Sequence, residues 1–315
     1  MRHALDADGW LLGGHPAVSG EDRAARPRSE LTATDRLTLV FLAGLAMVAA
    51  ASHPRPLPLL SALGALALAI LGSARWSGRS KLGRWVHDFL PVANVIAIFN
   101  LSGPIIATAN PTRWDGTFSA LDRALFGALP EAWFGAFGRP AWLVDAAAVV
   151  YASYYVIPVA MAVALYRAGR RADFDRLVFT VVATFLISYL CYFLMPALGP
   201  RVPLGRESDV VGGGAASELF RAFLHAAEFN ELDAFPSGHT ALSLVFLVLS
   251  WQLFPKWRIP MAALVAGIIF STVYLSLHYV IDLVAGALLA GLMPFAVPAL
   301  YRLASAREVA SLPAS

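Results

Sequence analysis

Three features of the sequence predict an all-α integral membrane protein with about eight transmembrane helices. Of its 315 residues 58% are hydrophobic and 14% charged, where a soluble domain carries about 25% charge. Eight apolar segments approach the roughly 17 to 25 residues that a spanning helix needs. Arg and Lys are concentrated in alternate connections between those segments.

The first 36 residues are polar and include Asp6, Asp8, Glu21, Asp22 and Glu30. They lack the basic start and apolar centre of a signal peptide, and read as a largely disordered cytoplasmic tail. Spans follow at 37–52 and 57–73, joined by the tight turn His53-Pro54-Arg55-Pro56. This hairpin and the basic stretch after it, to residue 88, form one unit. A catalytic transmembrane domain over 89–300 contains the segments 89–109, 142–166, 177–195, 240–254, 259–277 and 282–300. The fourth of these, 240–254, reaches span length only if its helix starts near Ser237. Residues 301–315 form a second cytoplasmic tail. Pro91, Gly103, Pro104 and Pro158 lie inside apolar segments, which is tolerable where neighbouring helices cover the backbone.

Counted along eight spans, 17 of the 24 basic residues fall on the side of the N-terminal tail and seven on the other. Both termini are therefore expected in the cytoplasm of a multi-pass plasma or inner membrane protein. The basic balance comes from 22 Arg and two Lys in loops, without the exposed aromatics that accompany nucleic-acid binding. Cys191 is the single cysteine, which excludes an intrachain disulfide. In the outer connection 110–141, Trp114, Phe118, Leu121, Leu125 and Phe126 recur at near-helical spacing. They predict a short interfacial helix that covers the site, guides lipid, or only anchors. Gly212-Gly213-Gly214 in the connection 196–236 reads as a flexible point.

The same topology gathers the polar residues near the apolar spans on the outer face. Ionisable groups there are costly, so their co-location points to function. They are Arg201, then Phe235-Pro236-Ser237-Gly238-His239-Thr240, then His278-Tyr279-Val280-Ile281-Asp282. Together they suit phosphoryl transfer, which needs a nucleophile in line with phosphorus, a proton donor for the leaving oxygen and donors around the other oxygens. If the last helix begins near His278, then Asp282, four residues on, shares its face and fixes the tautomer of a nucleophilic imidazole. Ser237 caps the next helix start, and Gly238 lets its N–H groups approach a phosphate. His239 in the first turn protonates the departing alkoxide and activates the acceptor. Arg201, after the stiff turn Pro196-Ala197-Leu198-Gly199-Pro200, offers a fork for two phosphate oxygens. His239, His278 and Asp282 also read as three zinc ligands, but that leaves Arg201 and the Pro-Ser-Gly frame without a role. No metal or cofactor is expected. A transporter or a non-catalytic scaffold is the alternative outside enzymes, although transporters favour internal repeats and midplane polar sites, and neither is visible.

Phe235-Pro236-Ser237-Gly238-His239-Thr240 and His278-x-x-x-Asp282 resemble the second and third signature motifs of the type 2 phosphatidic acid phosphatase superfamily. The resemblance spans about 90 to 300. It implies a six-helix phosphatase-type catalytic bundle and a metal-independent phosphohistidine mechanism. It also implies His278 as nucleophile, Asp282 as its partner, His239 as acid and base, and Ser237, Gly238 and Arg201 as phosphate ligands. Leu194 and Val202 stand where the first motif has Lys and Pro, and Ser271-Thr272 where the third opens with Ser-Arg. Asp122-x-x-Leu125-Phe126-Gly127, Tyr154-Tyr155 and Pro196 to Arg201 resemble the bacterial inositolphosphotransferase group. Asp233-x-x-x-Ser237-Gly238-His239-Thr240 is similar to sphingomyelin synthases. A site with Arg201 as its assured cation suits a singly charged phosphodiester better than a monoester, unless Arg113, Arg123 or Arg206 supplies more charge. The expected substrate is a phospholipid, with a lipid alcohol or water as acceptor: a headgroup transferase, or a lipid phosphate phosphatase.

Overall fold

A computed structural model describes residues 31–136, 138–202, 205 and 212–309. The polar tail up to residue 30, Arg206 and the final residues lie outside the described residues. Among the described residues the chain is helical and has no strand. Seven helices are long and apolar enough to cross a membrane: α1 (Ala33–Ser52), α2 (Leu57–Ser77), α3 (Lys81–Ala109), α6 (Ala141–Arg167), α7 (Arg171–Leu194), α10 (Arg258–Tyr274) and α11 (Val280–Val309). An eighth apolar helix, α9 (Gly238–Leu253), is shorter. Its cap is Ser237, the start that span length required.

Several helices outrun the apolar segments that announced them. Ser80 caps α3, accepting from Gly83 N at 2.8 Å, so the basic stretch before residue 89 is already helical. Thr32 and Asp35 form a capping box that starts α1 at Ala33, inside the segment read as tail. Apolarity marks the membrane-crossing part of a helix, whereas a cap marks its end.

α7 is the centre of the bundle. Of its apolar window 61% is buried, against 28–39% for the other long spans. On one side it shares a core that includes Phe246, Leu249 and Ile268 with α6, α9, α10 and α11. On the other it shares a second core that includes Leu42, Ile70 and Ile98 with α1, α2 and α3. The N-terminal hairpin is thus packed onto the bundle through α3, α7 and α11.

Tertiary bonds gather several connections at two ends of the bundle. At one end Arg36 donates to Ala304 O, Arg170 to Leu253 O and Arg171 to Asp88. At the other lie α4 (Asp115–Phe126), α5 (Pro130–Ala136) and α8 (Ala215–Ala227). The expected amphipathic helix is α4. Phe118 is buried against Phe235 at 4.3 Å, while Leu121 and Leu125 are exposed. α5 and α8 were not foreseen. Gly212-Gly213-Gly214, expected as a flexible point, is a built entry to α8. Gly213 holds a positive φ of 94°, and a Cβ there would clash with Ser217 Oγ. Asp145 of α6 accepts from Gly214 N and Ser217 N at 2.8 and 3.0 Å.

Candidate active site

Two carboxylates of α4 hold the two backbone segments that carry the site. Asp115 accepts from Leu198 N and Gly199 N, at 3.0 and 2.9 Å through Oδ1. Tyr279 Oη lies within hydrogen-bond reach of Asp115 Oδ1 and of Gly199 O, at 3.2 and 3.0 Å. Gly199 has φ 94°, and a Cβ there would come within 2.9 Å of Leu277 O. Only glycine fits this crossing, and it sets the path of the chain into Arg201. Asp122, fully buried, accepts from Val280 N and Ile281 N at 2.8 and 2.9 Å. These are the first two N–H groups of α11, which have no partner inside the helix. Burial pushes the Asp122 carboxyl up, against the two backbone hydrogen bonds.

His278 precedes α11 rather than beginning it, which corrects the expectation of a shared helical face with Asp282. The two meet because Asp282, at the third helical position, reaches back to the cap and accepts from Tyr279 N at 2.8 Å. This is the return half of a capping box. The same Oδ2 lies 3.4 Å from His278 Nδ1. Ala234 O lies 2.9 Å from that nitrogen. A carbonyl can only accept, so Nδ1 carries the proton and neutral His278 keeps its lone pair on Nε2. His278 N also donates to Thr272 O at 3.2 Å. Burial alone would lower the His278 pKa, but the hydrogen bond and charge of Asp282, with the charge of Asp233, hold it above 6.5.

His278 Nε2 faces His239 Nδ1 at 3.5 Å. The His239 ring lies between Tyr151 and Tyr154, with centroids at 4.5 and 4.3 Å. Tyr151 Oη stands 3.2 Å from the same Nδ1. His239 Nε2 and Asp282 Oδ1 are buried with no hydrogen-bond partner. Asp282 sits on the Nδ1 side of His278 and His239 on the Nε2 side. The three therefore do not converge as zinc ligands, and no group of three or more His, Cys, Asp or Glu among the described residues is arranged to hold a metal.

A polar cavity of about 160 Å³ opens over this pair, lined by Arg201, His239 and His278 from the sequence-predicted set. Ser237 and Gly238 lie beneath it and do not line it. Ser237 Oγ accepts from Thr240 N at 3.2 Å as the cap of α9. A Cβ on Gly238 would meet Tyr192 Oη at 2.5 Å. On the facing helix, a Cβ on Gly286 would meet Ser237 O, also at 2.5 Å. Close packing of α9 on α7 and α11 accounts for both glycines. Arg201 pairs with Glu231 at 3.1 Å. Arg113 turns onto the carbonyls of Asn110 and Thr112, and neither it nor Arg123 lines the cavity.

The cavity wall also includes Arg221, His225, Glu228, Glu231 and Asp233, which the sequence did not single out as charges of the site. Arg221, His225 and Glu228 come from α8 and its end, a helix absent from the sequence reading. Burial raises the Asp233 carboxyl to about 6, with the nearby positive charge of His278 acting against it. Asp122, Tyr154 and Asp233 were within reach of the sequence only through the motifs that contain them. Glu228 and Arg221 had no such signal.

Residues 116–296 match the family described as the PAP2 superfamily, and the chain belongs to it. No curated protein and no solved structure matches the chain. Members of this superfamily are generally phosphatase-type enzymes, and membership points to phosphatase or phosphotransferase activity on phosphoesters.

Proposed function

We propose that this protein is a membrane phosphoryl-transfer enzyme that acts on a lipid phosphoester through a phosphohistidine at His278. The preferred form is a phospholipid headgroup transferase of the inositolphosphate type, with the site on the outer face and both termini cytoplasmic. The observation that carries the proposal is the state of His278. Its Nδ1 is engaged by Ala234 O and Asp282 at 2.9 and 3.4 Å, which leaves Nε2 as the nitrogen facing the cavity.

Phosphorus enters as the two imidazoles part, because nitrogens 3.5 Å apart leave no room between them. His278 Nε2 then forms the N–P bond as the bond from phosphorus to the leaving oxygen breaks. His239 supplies that oxygen's proton and next removes one from the acceptor hydroxyl. Asp282 balances the cationic phosphoimidazole. Arg201 faces phosphate oxygens, whereas Ser237 and Gly238 serve through the α9 terminus they build.

The preference for a diester rests on charge. Arg201 and Arg221 share the wall with Glu228, Glu231 and Asp233, so the cavity is poor in net positive charge for a dianionic monoester. Carboxylates there are suited to accept hydrogen bonds from a hydroxyl-rich headgroup. The test is mass spectrometry of lipid products from purified protein in defined vesicles. Phosphatidylinositol with ceramide or diacylglycerol should yield the exchanged headgroup lipid. Efficient phosphate release from phosphatidic acid with no exchange would overturn the transferase form in favour of a lipid phosphate phosphatase.

A further inference from the structure

A second cavity, of about 110 Å³, lies between α3 and α6 with α7 as its floor. α3 and α6 are tied at one end by Phe89 on Tyr166, with centroids at 5.3 Å. At the other end they are bridged through α8, which packs on α6: Asn100 of α3 donates to Ala227 O and accepts from Phe229 N, at 2.9 and 2.8 Å. Between these ties the two helices stand apart over α7. Val92 and Ile96 form one rim, with Ile96 51% exposed, and Pro158, Val159 and Ala162 form the other wall. Two helix prolines, Pro91 and Pro158, line it; each lacks the N–H that would tie its turn.

The two cavities share one partition. Tyr154 packs its ring on His239 at 4.3 Å and also lines the apolar groove. Tyr155, beside it in the groove, donates to Glu228 Oε1 at 2.6 Å, and Glu228 lines the polar cavity. From Tyr154 to Ala162 the groove runs about 12 Å along α6, away from the histidines and toward the end that carries the basic loops. The polar phosphate pocket and the apolar groove thus lie head to tail, in the order in which a membrane lipid presents headgroup and chain.

We infer that this groove binds one acyl chain of the lipid whose phosphate lies at His278, with Tyr154 and Tyr155 marking the boundary between headgroup and chain. The inference rests on the lipid phosphoester proposed above and adds the place where its chain is held. The occupant is a chain of the reacting lipid, because only that chain begins where the polar cavity ends. A general membrane lipid has no reason to choose this surface over the exposed faces of α10 and α11.

Photolabelling tests the site directly. Phosphatidylinositol with a diazirine midway along one acyl chain is incorporated into phosphatidylcholine vesicles with the wild-type protein. Label should concentrate on peptides carrying Ile96, Val159 and Val181, and unlabelled phosphatidylinositol should compete it. Label spread evenly over α10 and α11, or not competed, would mean an annular lipid only and would overturn the inference. A chain-length series gives a second reading. Val159→Trp, which fills the groove, should lower kcat/KM for a long-chain substrate by about 10-fold relative to a short-chain one, the contact of one or two methylenes. Leu288→Trp, on the exposed face of α11, should leave that ratio unchanged. An unchanged ratio in Val159→Trp contradicts the groove. Turnover of a soluble aryl phosphoester with no lipid turnover would instead refute the lipid substrate, and labelling would still decide the groove.

Discussion

Two buried histidine–aspartate pairs stand at opposite ends of the bundle, and they differ in what surrounds them. His87 Nε2 lies 3.3 Å from Asp35 Oδ2, and His278 Nδ1 lies 3.4 Å from Asp282 Oδ2. Both histidines are nearly closed to solvent. The second nitrogen of His87, however, is occupied by Ser73 Oγ at 3.0 Å, and the adjoining cavity is only about 30 Å³. His278 Nε2 looks into about 160 Å³ shared with Arg201 and a second histidine. A histidine–aspartate pair is therefore not chemistry by itself. Reactivity needs a lone pair directed at space that a substrate can fill. The His87 set instead joins α1, α2 and α3, and holds the N-terminal hairpin to the bundle.

The largest contrast comes from removing each imidazole. His278→Ala should reduce turnover by at least about 10⁴-fold, the scale at which a covalent mechanism fails when its nucleophile is removed. His87→Ala should keep kcat while lowering the thermal unfolding midpoint, since it strands buried polar partners worth about 1–3 kcal/mol. If both variants lose turnover equally, the two ends are not functionally distinct. Next in size, His239→Ala should slow lipid turnover by about 10²–10⁴-fold. An activated aryl phosphoester, whose leaving group needs no proton, should suffer far less. Equal loss on both substrates would remove His239 as the proton donor.

Smaller effects sharpen the comparison on the α4 side. Asp122→Ala deprives Val280 N and Ile281 N of their acceptor next to His278. Kinetics should show a fall of about 10-fold in kcat with KM little changed, about the value of one lost buried hydrogen bond. Asp122→Asn, which retains one acceptor oxygen, should recover part of it. Structural damage alone would not produce that ordering on kcat. Asp233→Asn should move only the pH profile. In the proposed mechanism the nucleophile is the neutral imidazole, so turnover should rise as pH passes upward through the His278 pKa. Asp233 helps to raise that pKa, so its neutralisation should shift the acidic limb of kcat/KM to lower pH. A limb that stays in place would separate Asp233 from His278.

What the sequence could carry was local. The spans were legible because about 20 apolar residues in a row have no other comfortable solvent. His278 and Asp282 were legible because four residues separate them, although the contact is made by a capping turn and not by a helical face. Ser237 and Gly238 were found for a partly different reason from the one the structure gives. They cap α9 and let it pack close to Tyr192 and Gly286. The distant partners were illegible. Asp115 meets Leu198 and Gly199 across 83 and 84 residues, and Asp122 meets Val280 across 158. α8 depends on Asp145 of another helix for its start, so the connection that holds it read as loop, and the charges it brings to the cavity went unseen.

The most direct measurement is rapid acid-free quenching of the wild-type enzyme during turnover of a lipid carrying ³²P in its phosphoester, followed by peptide mapping. An acid-labile, base-stable phosphoryl label should appear on the peptide containing His278 and be absent from His278→Ala. Turnover with no such label, or label on any other residue, would contradict attack by His278.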